Sequence, residues 1–222
     1  MSASAGLYLF LLGLASGVTL LTITSYRRVS PAWVKRLLIA SGIFVISRYV
    51  AMALFATAVS PERVWAWRRC WFATSVGLTL PSVFAIDQLI RHPAMTPQKL
   101  LRWFAPFLLA YAALILFGKT TPIADRVMGW APRLTPAWRL FTSAAQSVFM
   151  LGFVGMSAML MRKIPSRPIR TALLGLMLGQ LALGLDGLIL SLGAWYFRPF
   201  LYSEMLTLFA LWHAYETSAT TQ

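Results

Sequence analysis

Three ionisable side chains stand inside long apolar stretches of this chain, each in a different stretch: Arg48, Asp186 and Glu204. A charge in the hydrocarbon core of a bilayer costs about 2.5–3.5 kcal/mol on insertion scales, so such groups turn towards the protein interior and pair. Arginine keeps its charge there, whereas a carboxylate supplies the matching acceptor. We therefore predict a triad of Arg48, Asp186 and Glu204, serving either as a structural link between helices or as a site for a ligand, ion or proton.

Further polar residues lie in the same apolar stretches and can extend this centre. Asp87 and His213 fall at a similar distance from the end of their segments, which predicts a second pair nearer the cytoplasm. Gln146 and Gln180 lie in the fifth and sixth stretches and can widen either cluster by hydrogen bonding across helices.

The residues needed for several common chemistries are missing or misplaced. Cys70 is the only cysteine, and His92 and His213 are the only histidines, so a cysteine metal cluster and a bis-histidine haem site are excluded. All four lysines lie in loops or at helix ends, which gives no support to a retinal Schiff base. We predict no metal, no cofactor and no catalytic residue, and the balance leans away from an enzyme.

Composition places the whole chain, residues 1–222, in one integral membrane domain. Hydrophobic residues make up 59% of the sequence and charged residues 12%, which is far too apolar for a soluble domain. The formal net charge is +14, but every cation except Arg48 lies at the end of an apolar stretch. That distribution suits lipid phosphates and membrane topology, so we predict the lipid bilayer as a partner and no nucleic acid.

Hydropathy predicts an all-α, polytopic bundle of about seven transmembrane helices. Serine-proline or threonine-proline pairs mark four helix starts, at Pro31, Pro61, Pro97 and Pro136. The longest connection, 119–137, carries apolar residues that we expect to lie flat on the outer interface. The predicted spans are about 6–25, 37–59, 70–90, 103–118, 138–161, 171–194 and 200–215.

Cations are more frequent in the first, third and fifth connections than in the others. Because basic loops stay on the cytoplasmic side, the N-terminus is predicted outside and the C-terminus inside. The expected location is the bacterial cytoplasmic (inner) membrane.

Small residues recur along one face of the sixth span: Gly175, Gly179, Ala182 and Gly193. A face without side-chain bulk lets a neighbouring backbone approach closely. We expect this helix to be the most closely packed element of the bundle.

The layout resembles the seven-helix N-terminal membrane regions of bacterial sensor histidine kinases. It has a short outer N-terminus, seven spans, compact basic loops, Arg48 in helix two and Leu80-Pro81 in helix three. The chain stops shortly after Glu216 without a kinase domain, so the resemblance implies a sensing or docking bundle whose output lies in a separate chain.

The sequence is compatible with three classes of function. The leading hypothesis is a non-enzymatic sensor, receptor-like protein or accessory subunit that binds a ligand or another membrane protein at its buried polar site. A transporter or channel for a small solute or ion is the alternative, although matched Gly/Pro interruptions are missing from the helices. A membrane-embedded enzyme comes third, because the sequence offers no nucleophile and base pair.

Overall fold

The structure is a computed structural model that describes residues 3–92, 96–125, 129–192 and 200–220. Within these ranges the chain forms seven α-helices and one β-hairpin, and short 3₁₀ segments at Tyr26–Arg28 and Glu62–Phe72 precede α2 and α3. The all-α class is confirmed. The elements are α1 (Ala3–Ser25), α2 (Ala32–Thr57), α3 (Ala73–Ile90), α4 (Pro97–Phe117), β1 (Thr120–Ala124), β2 (Trp130–Leu134), α5 (Pro136–Lys163), α6 (Arg167–Ser191) and α7 (Leu201–Thr220).

The proline signals locate these starts better than hydropathy does. Helix α2 begins directly after Pro31, several residues before the predicted span, and α4 and α5 begin at Pro97 and Pro136. Proline suits the first turn because the backbone N–H that it lacks has no partner there. Thr96 also caps α4 through its side chain, which accepts a hydrogen bond from the Lys99 amide at 3.4 Å.

Helices α3 and α7 form the centre of the bundle and pack against each other. Helices α1 and α2 cover one side of this central pair, and α4, α5 and α6 cover the other. Nearly every residue of α3 from Gly77 to Leu89 is buried, whereas α4 and α5 direct most of their side chains outward. The outer helices therefore supply the surface that suits contact with lipid.

In the part of the chain that the structure describes, six helical segments are long and apolar enough to cross a membrane, which makes the bundle compatible with an integral membrane protein. Helix α7 is not among them, because Glu204, His213 and Glu216 lower its hydropathy. Its position explains this composition. A helix enclosed by α1, α3 and α6 presents only a narrow stripe outward and can carry polar residues on its other faces.

The connection between α4 and α5 has regular structure that the sequence did not predict. It folds into an antiparallel hairpin in which Thr120 pairs with Leu134 and Ala124 pairs with Trp130. Gly129, with φ 65°, rests against the last turn of α2, where a side chain would collide with the carbonyl oxygens of Phe55 and Ala56. We call this end of the bundle the hairpin side; it also carries the segment Glu62–Phe72 and the first turn of α7.

The glycine face of α6 packs on α7, which agrees with the expectation that a face of small residues lets a neighbouring helix approach closely. A Cβ atom at Gly179 would lie 2.9 Å from Thr207 Oγ1 and 3.0 Å from Thr207 Cα. A Cβ atom at Gly175 would meet Ala210 at an ordinary 3.6 Å. Ala182 lines a groove between the two helices, and Gly193 lies outside the described residues. The expectation that α6 is the most closely packed helix was wrong, since α3 and α7 are more enclosed.

We predict that Gly179→Ala destabilises the bundle by about 1–3 kcal/mol, because the new methyl group meets the α7 backbone and forces the helices apart. Thermal unfolding of the purified protein in detergent measures the change. Gly155→Ala is the matched control, since Gly155 is exposed on α5 and a Cβ there meets nothing within 4 Å. Equal melting temperatures for the two variants would contradict the close α6–α7 contact.

Candidate functional site: a buried ion pair beside the first turn of α7

Arg48 of α2 and Glu204 of α7 form a buried, two-point ion pair. Arg48 Nη2 lies 2.8 Å from Glu204 Oε1, and Arg48 Nε donates to Glu204 Oε2 at 3.3 Å. Only 7% of Arg48 and 2% of Glu204 is exposed. This parallel arrangement suits the planar guanidinium group and fixes the orientation of both side chains. The prediction that Arg48 points inward and pairs with Asp186 or Glu204 is confirmed.

The start of α3 completes the surroundings of the pair. Arg48 Nη1 donates to the carbonyl oxygen of Trp71, at the junction between the 3₁₀ segment and α3, and the guanidinium carbon lies 6.0 Å from the Trp71 ring centroid. Thr74 Oγ1 donates to Glu204 Oε1 at 3.0 Å. The buried Tyr49 hydroxyl lies near Glu204 but forms no hydrogen bond with the described residues. The centre therefore joins α2, α3 and α7.

Along α2, the ion pair lies nearer the hairpin side than the middle of the helix. Arg48 is about 24 Å from the start of α2 at Ala32 and about 14 Å from its end at Thr57, at 1.5 Å per residue. Glu204 is in the first turn of α7, where a carboxylate also interacts favourably with the positive end of the helix dipole.

Asp186 holds the start of α7 from the side of α6. Its Oδ2 atom accepts hydrogen bonds from the Phe200 amide at 2.8 Å and from the Ser203 hydroxyl at 2.5 Å. Phe200 has φ 69°, and the Phe200 amide would otherwise lack an acceptor within the helix. The predicted triad is thus divided into two anchors on adjacent residues of α7, with Arg48 on Glu204 and Asp186 on Ser203.

The two glutamines are separated from this centre and from each other. Gln180 of α6 donates to Ser82 Oγ of α3 at 3.0 Å. The side-chain oxygen of Gln146 on α5 accepts from the Tyr111 hydroxyl of α4 at 2.5 Å. Each therefore links one pair of helices, and the expectation that they enlarge an ionic cluster was wrong.

The predicted Asp87–His213 pair is not formed among the described residues. The Asp87 carboxylate accepts from Gln88 Nε2 at 3.3 Å, and the same amide nitrogen reaches the Ser30 carbonyl at 3.0 Å. His213 is half-buried on α7, while Tyr215, two residues later, donates to the Pro81 carbonyl of α3 at 2.8 Å. Similar depth did not bring Asp87 and His213 together, because they face different neighbours.

The chemistry of the centre is charge pairing and hydrogen bonding. Within the described ranges, no group of three or more His, Cys, Asp or Glu side chains is arranged to hold a metal ion. A cationic group would compete with Arg48 for Glu204, and an anionic group would compete with Glu204 for Arg48.

Sequence reasoning missed Trp71, Thr74, Ser203 and Ser82 as partners of these polar groups. Ser203 had a signal, since it is adjacent to Glu204 at a helix start, where hydroxyl and carboxylate groups satisfy free amides. The hydrogen bond from Arg48 uses the main-chain carbonyl of Trp71, which any residue would supply, whereas the contact with the ring needs the tryptophan side chain.

No family model matches the chain, and no curated protein matches it.

We predict that Arg48→Met and Glu204→Leu each destabilise the protein by about 3–5 kcal/mol, because each leaves one charge buried without its partner. The double variant Arg48→Met/Glu204→Leu should be close to the unsubstituted protein, since a buried pair contributes little more than apolar packing. Thermal melting of all four proteins gives the coupling energy between the two positions. Additive losses in the double variant would show that the pair is not an energetic unit.

We also predict that Asp186→Leu loosens the first turn of α7 and costs about 1–3 kcal/mol, because the Phe200 amide and the Ser203 hydroxyl lose their acceptor. Asp186→Asn keeps an acceptor oxygen and should have a smaller effect. Hydrogen–deuterium exchange over residues 200–204 reports the difference. Identical exchange in the two variants would refute a capping role for Asp186.

Proposed function

We propose that this protein is a non-enzymatic, receptor-like or accessory membrane protein in which the buried polar centre sets the position of α7. The observation that carries the proposal is the double anchoring of one helix start. Glu204 ties α7 to α2 and α3, and Asp186 ties the adjacent Ser203 to α6. A ligand or partner that disturbs either acid acts on the same turn of α7.

Helix α7 can convey such a disturbance across the bundle because it is continuous over 20 residues, or about 30 Å. Its middle is attached to α1 through Thr22, whose hydroxyl donates to the Leu208 carbonyl at 3.0 Å. Its far part is attached to α3 through the Tyr215–Pro81 hydrogen bond. A shift of the first turn must therefore alter packing at the opposite end.

A groove between α6 and α7 offers access to this centre from the side. It has a volume of about 470 Å³ and is lined by Asp186, Tyr202 and Ser203 together with apolar side chains. A small amphipathic ligand or the helix of another membrane protein suits such a surface, since a few polar groups are set among apolar walls. A ligand that competes for Asp186 would bind more tightly when the first turn of α7 is released than when it is held. That difference in affinity is what allows a ligand to shift the population between two conformations.

The cellular setting is part of the proposal. We place the protein in a bacterial inner membrane with its N-terminus outside and the end of α7 in the cytoplasm, from the distribution of basic residues between loops. The output would then lie in another membrane protein or a separate cytoplasmic chain that reads the end of α7. The resemblance in layout to the membrane regions of sensor histidine kinases supports this role.

Transport of a small solute or ion is the second candidate. The observation in its favour is that Arg48 of α2 and Asp186 of α6 contact the neighbouring α7 residues Glu204 and Ser203, with Asp186 lining the lateral groove. Buried charges close together often mark ion and proton pathways.

We predict that removing the ion pair repositions the far end of α7. Spin labels at Lys163→Cys on α5 and Thr220→Cys on α7, in a Cys70→Ser background, report the distance between the two helix ends. The folded double variant Arg48→Met/Glu204→Leu should show a second or displaced distance population in pulsed electron spin resonance, because α7 is no longer tied to α2 and α3.

Gln180→Leu is the matched control, since it removes a buried polar contact between α3 and α6 without touching the start of α7. Its distance distribution should equal that of the labelled parent. An unchanged distribution in the double variant would overturn the proposal. Ion flux into proteoliposomes that disappears in the double variant would replace it with transport.

A further inference from the structure

A second polar site lies on the hairpin side, and its lining residues are separate from Arg48, Glu204 and Asp186. It is a cavity of about 520 Å³ between the 3₁₀ segment, the end of α4, the base of the hairpin and the residue that precedes α5. The residues that matter for its chemistry are Trp65, Arg68, Arg69, Lys119, Thr120 and Thr135.

The cavity is strongly positive. Arg68, Arg69 and Lys119 contribute to its walls, and no acidic residue is among its described lining residues. Arg68 is held in place, because it donates to the Trp65 carbonyl at 3.0 Å and stacks on the Trp65 ring at 5.5 Å. Arg69 forms no ion pair with any described residue. Three neighbouring cations without a carboxylate favour an anionic ligand.

One hydroxyl group in the cavity wall lacks a hydrogen-bond partner among the described residues. Thr120 Oγ1 is buried and forms no hydrogen bond with the described residues. A buried hydroxyl without a partner is unfavourable, so a ligand with acceptor oxygens would gain a contact that the protein leaves open.

The surroundings of the cavity are apolar on the α4 side. Leu116 and Phe117, in the last turn of α4, line it and are largely exposed, at 54% and 70%. Tryptophan, arginine and exposed apolar side chains together are typical of the membrane–water boundary. A ligand that combines an anionic group with an apolar tail fits both parts of the wall.

We propose that this cavity binds the phosphate group of an anionic phospholipid. The guanidinium groups of Arg68 and Arg69 and the Lys119 ammonium group would face the phosphate oxygens, and the Thr120 hydroxyl would donate to one of them. The acyl chains would lie along the exposed end of α4. Free phosphate shares the headgroup chemistry but lacks the tail.

The test compares three probes added to the protein purified in zwitterionic detergent: short-chain phosphatidylglycerol, phosphatidylcholine of equal chain length, and inorganic phosphate at matched ionic strength. Phosphatidylglycerol should raise the melting temperature in a saturable way, whereas the other two should have little effect. Arg68→Gln/Arg69→Gln should weaken this binding about thirtyfold, because each basic side chain contributes to attraction for anionic lipid.

Arg133→Gln/Arg139→Gln is the matched control, since it removes the same charge from exposed positions outside the cavity. It should change the apparent affinity less than threefold. An equal loss in both double variants would overturn the proposal in favour of unspecific charge attraction. Equal stabilisation by inorganic phosphate would overturn the assignment to a lipid.

Thr120→Val keeps the test independent of folding defects. It replaces a buried hydroxyl without a partner by a methyl group of similar size, so the ligand-free protein should melt at an equal or higher temperature. Binding of phosphatidylglycerol should fall about tenfold, because one hydrogen bond to a charged group is lost. Unchanged binding in this variant would contradict the assigned donor.

Discussion

The burial of Arg48 is the constraint on which the rest of the structure depends. A guanidinium group in the interior of an apolar bundle needs acceptors for several donors, and these must come from more than one chain segment. Glu204 and the Trp71 carbonyl meet that need, so α7 and the start of α3 must converge on α2. The pair adds little net stability compared with apolar packing, but it strongly disfavours arrangements that would leave the arginine alone.

The position of α7 follows from the same constraint. A helix whose first turn carries Glu204 is best placed in the interior, where Thr74 and Arg48 satisfy the carboxylate. Because α7 is enclosed by other helices, few of its residues need to be apolar for contact with lipid. This explains why its composition is not apolar enough to mark it as a membrane span. Close approach at Gly179 then lets α6 bring Asp186 to the start of α7.

The two sites of the hairpin side use charge in different ways. The Arg48–Glu204 centre is neutralised internally and buried, so a ligand would act on it only by replacing one partner of the pair. The cavity lined by Arg68 and Arg69 is open and carries uncompensated positive charge, so it suits a permanent anionic neighbour. A lipid at the second site would hold the 3₁₀ segment, whose Trp71 carbonyl reaches Arg48. The membrane and the buried centre would then be connected through one short segment.

The sequence by itself determined the helical class, most of the helix bounds and the need for Arg48 to find an acidic partner. Hydropathy and proline signals depend only on residues that are close together in the sequence, so they can be interpreted without the tertiary structure. It also marked the glycine face of α6. Tertiary structure alone decided that Glu204, not Asp186, pairs with Arg48, that Asp87 and His213 stay apart, and that Thr120–Ala124 pairs with Trp130–Leu134. The physical reason is that position in a sequence gives depth along a helix axis, while contacts also depend on rotation about that axis and on which helices are neighbours.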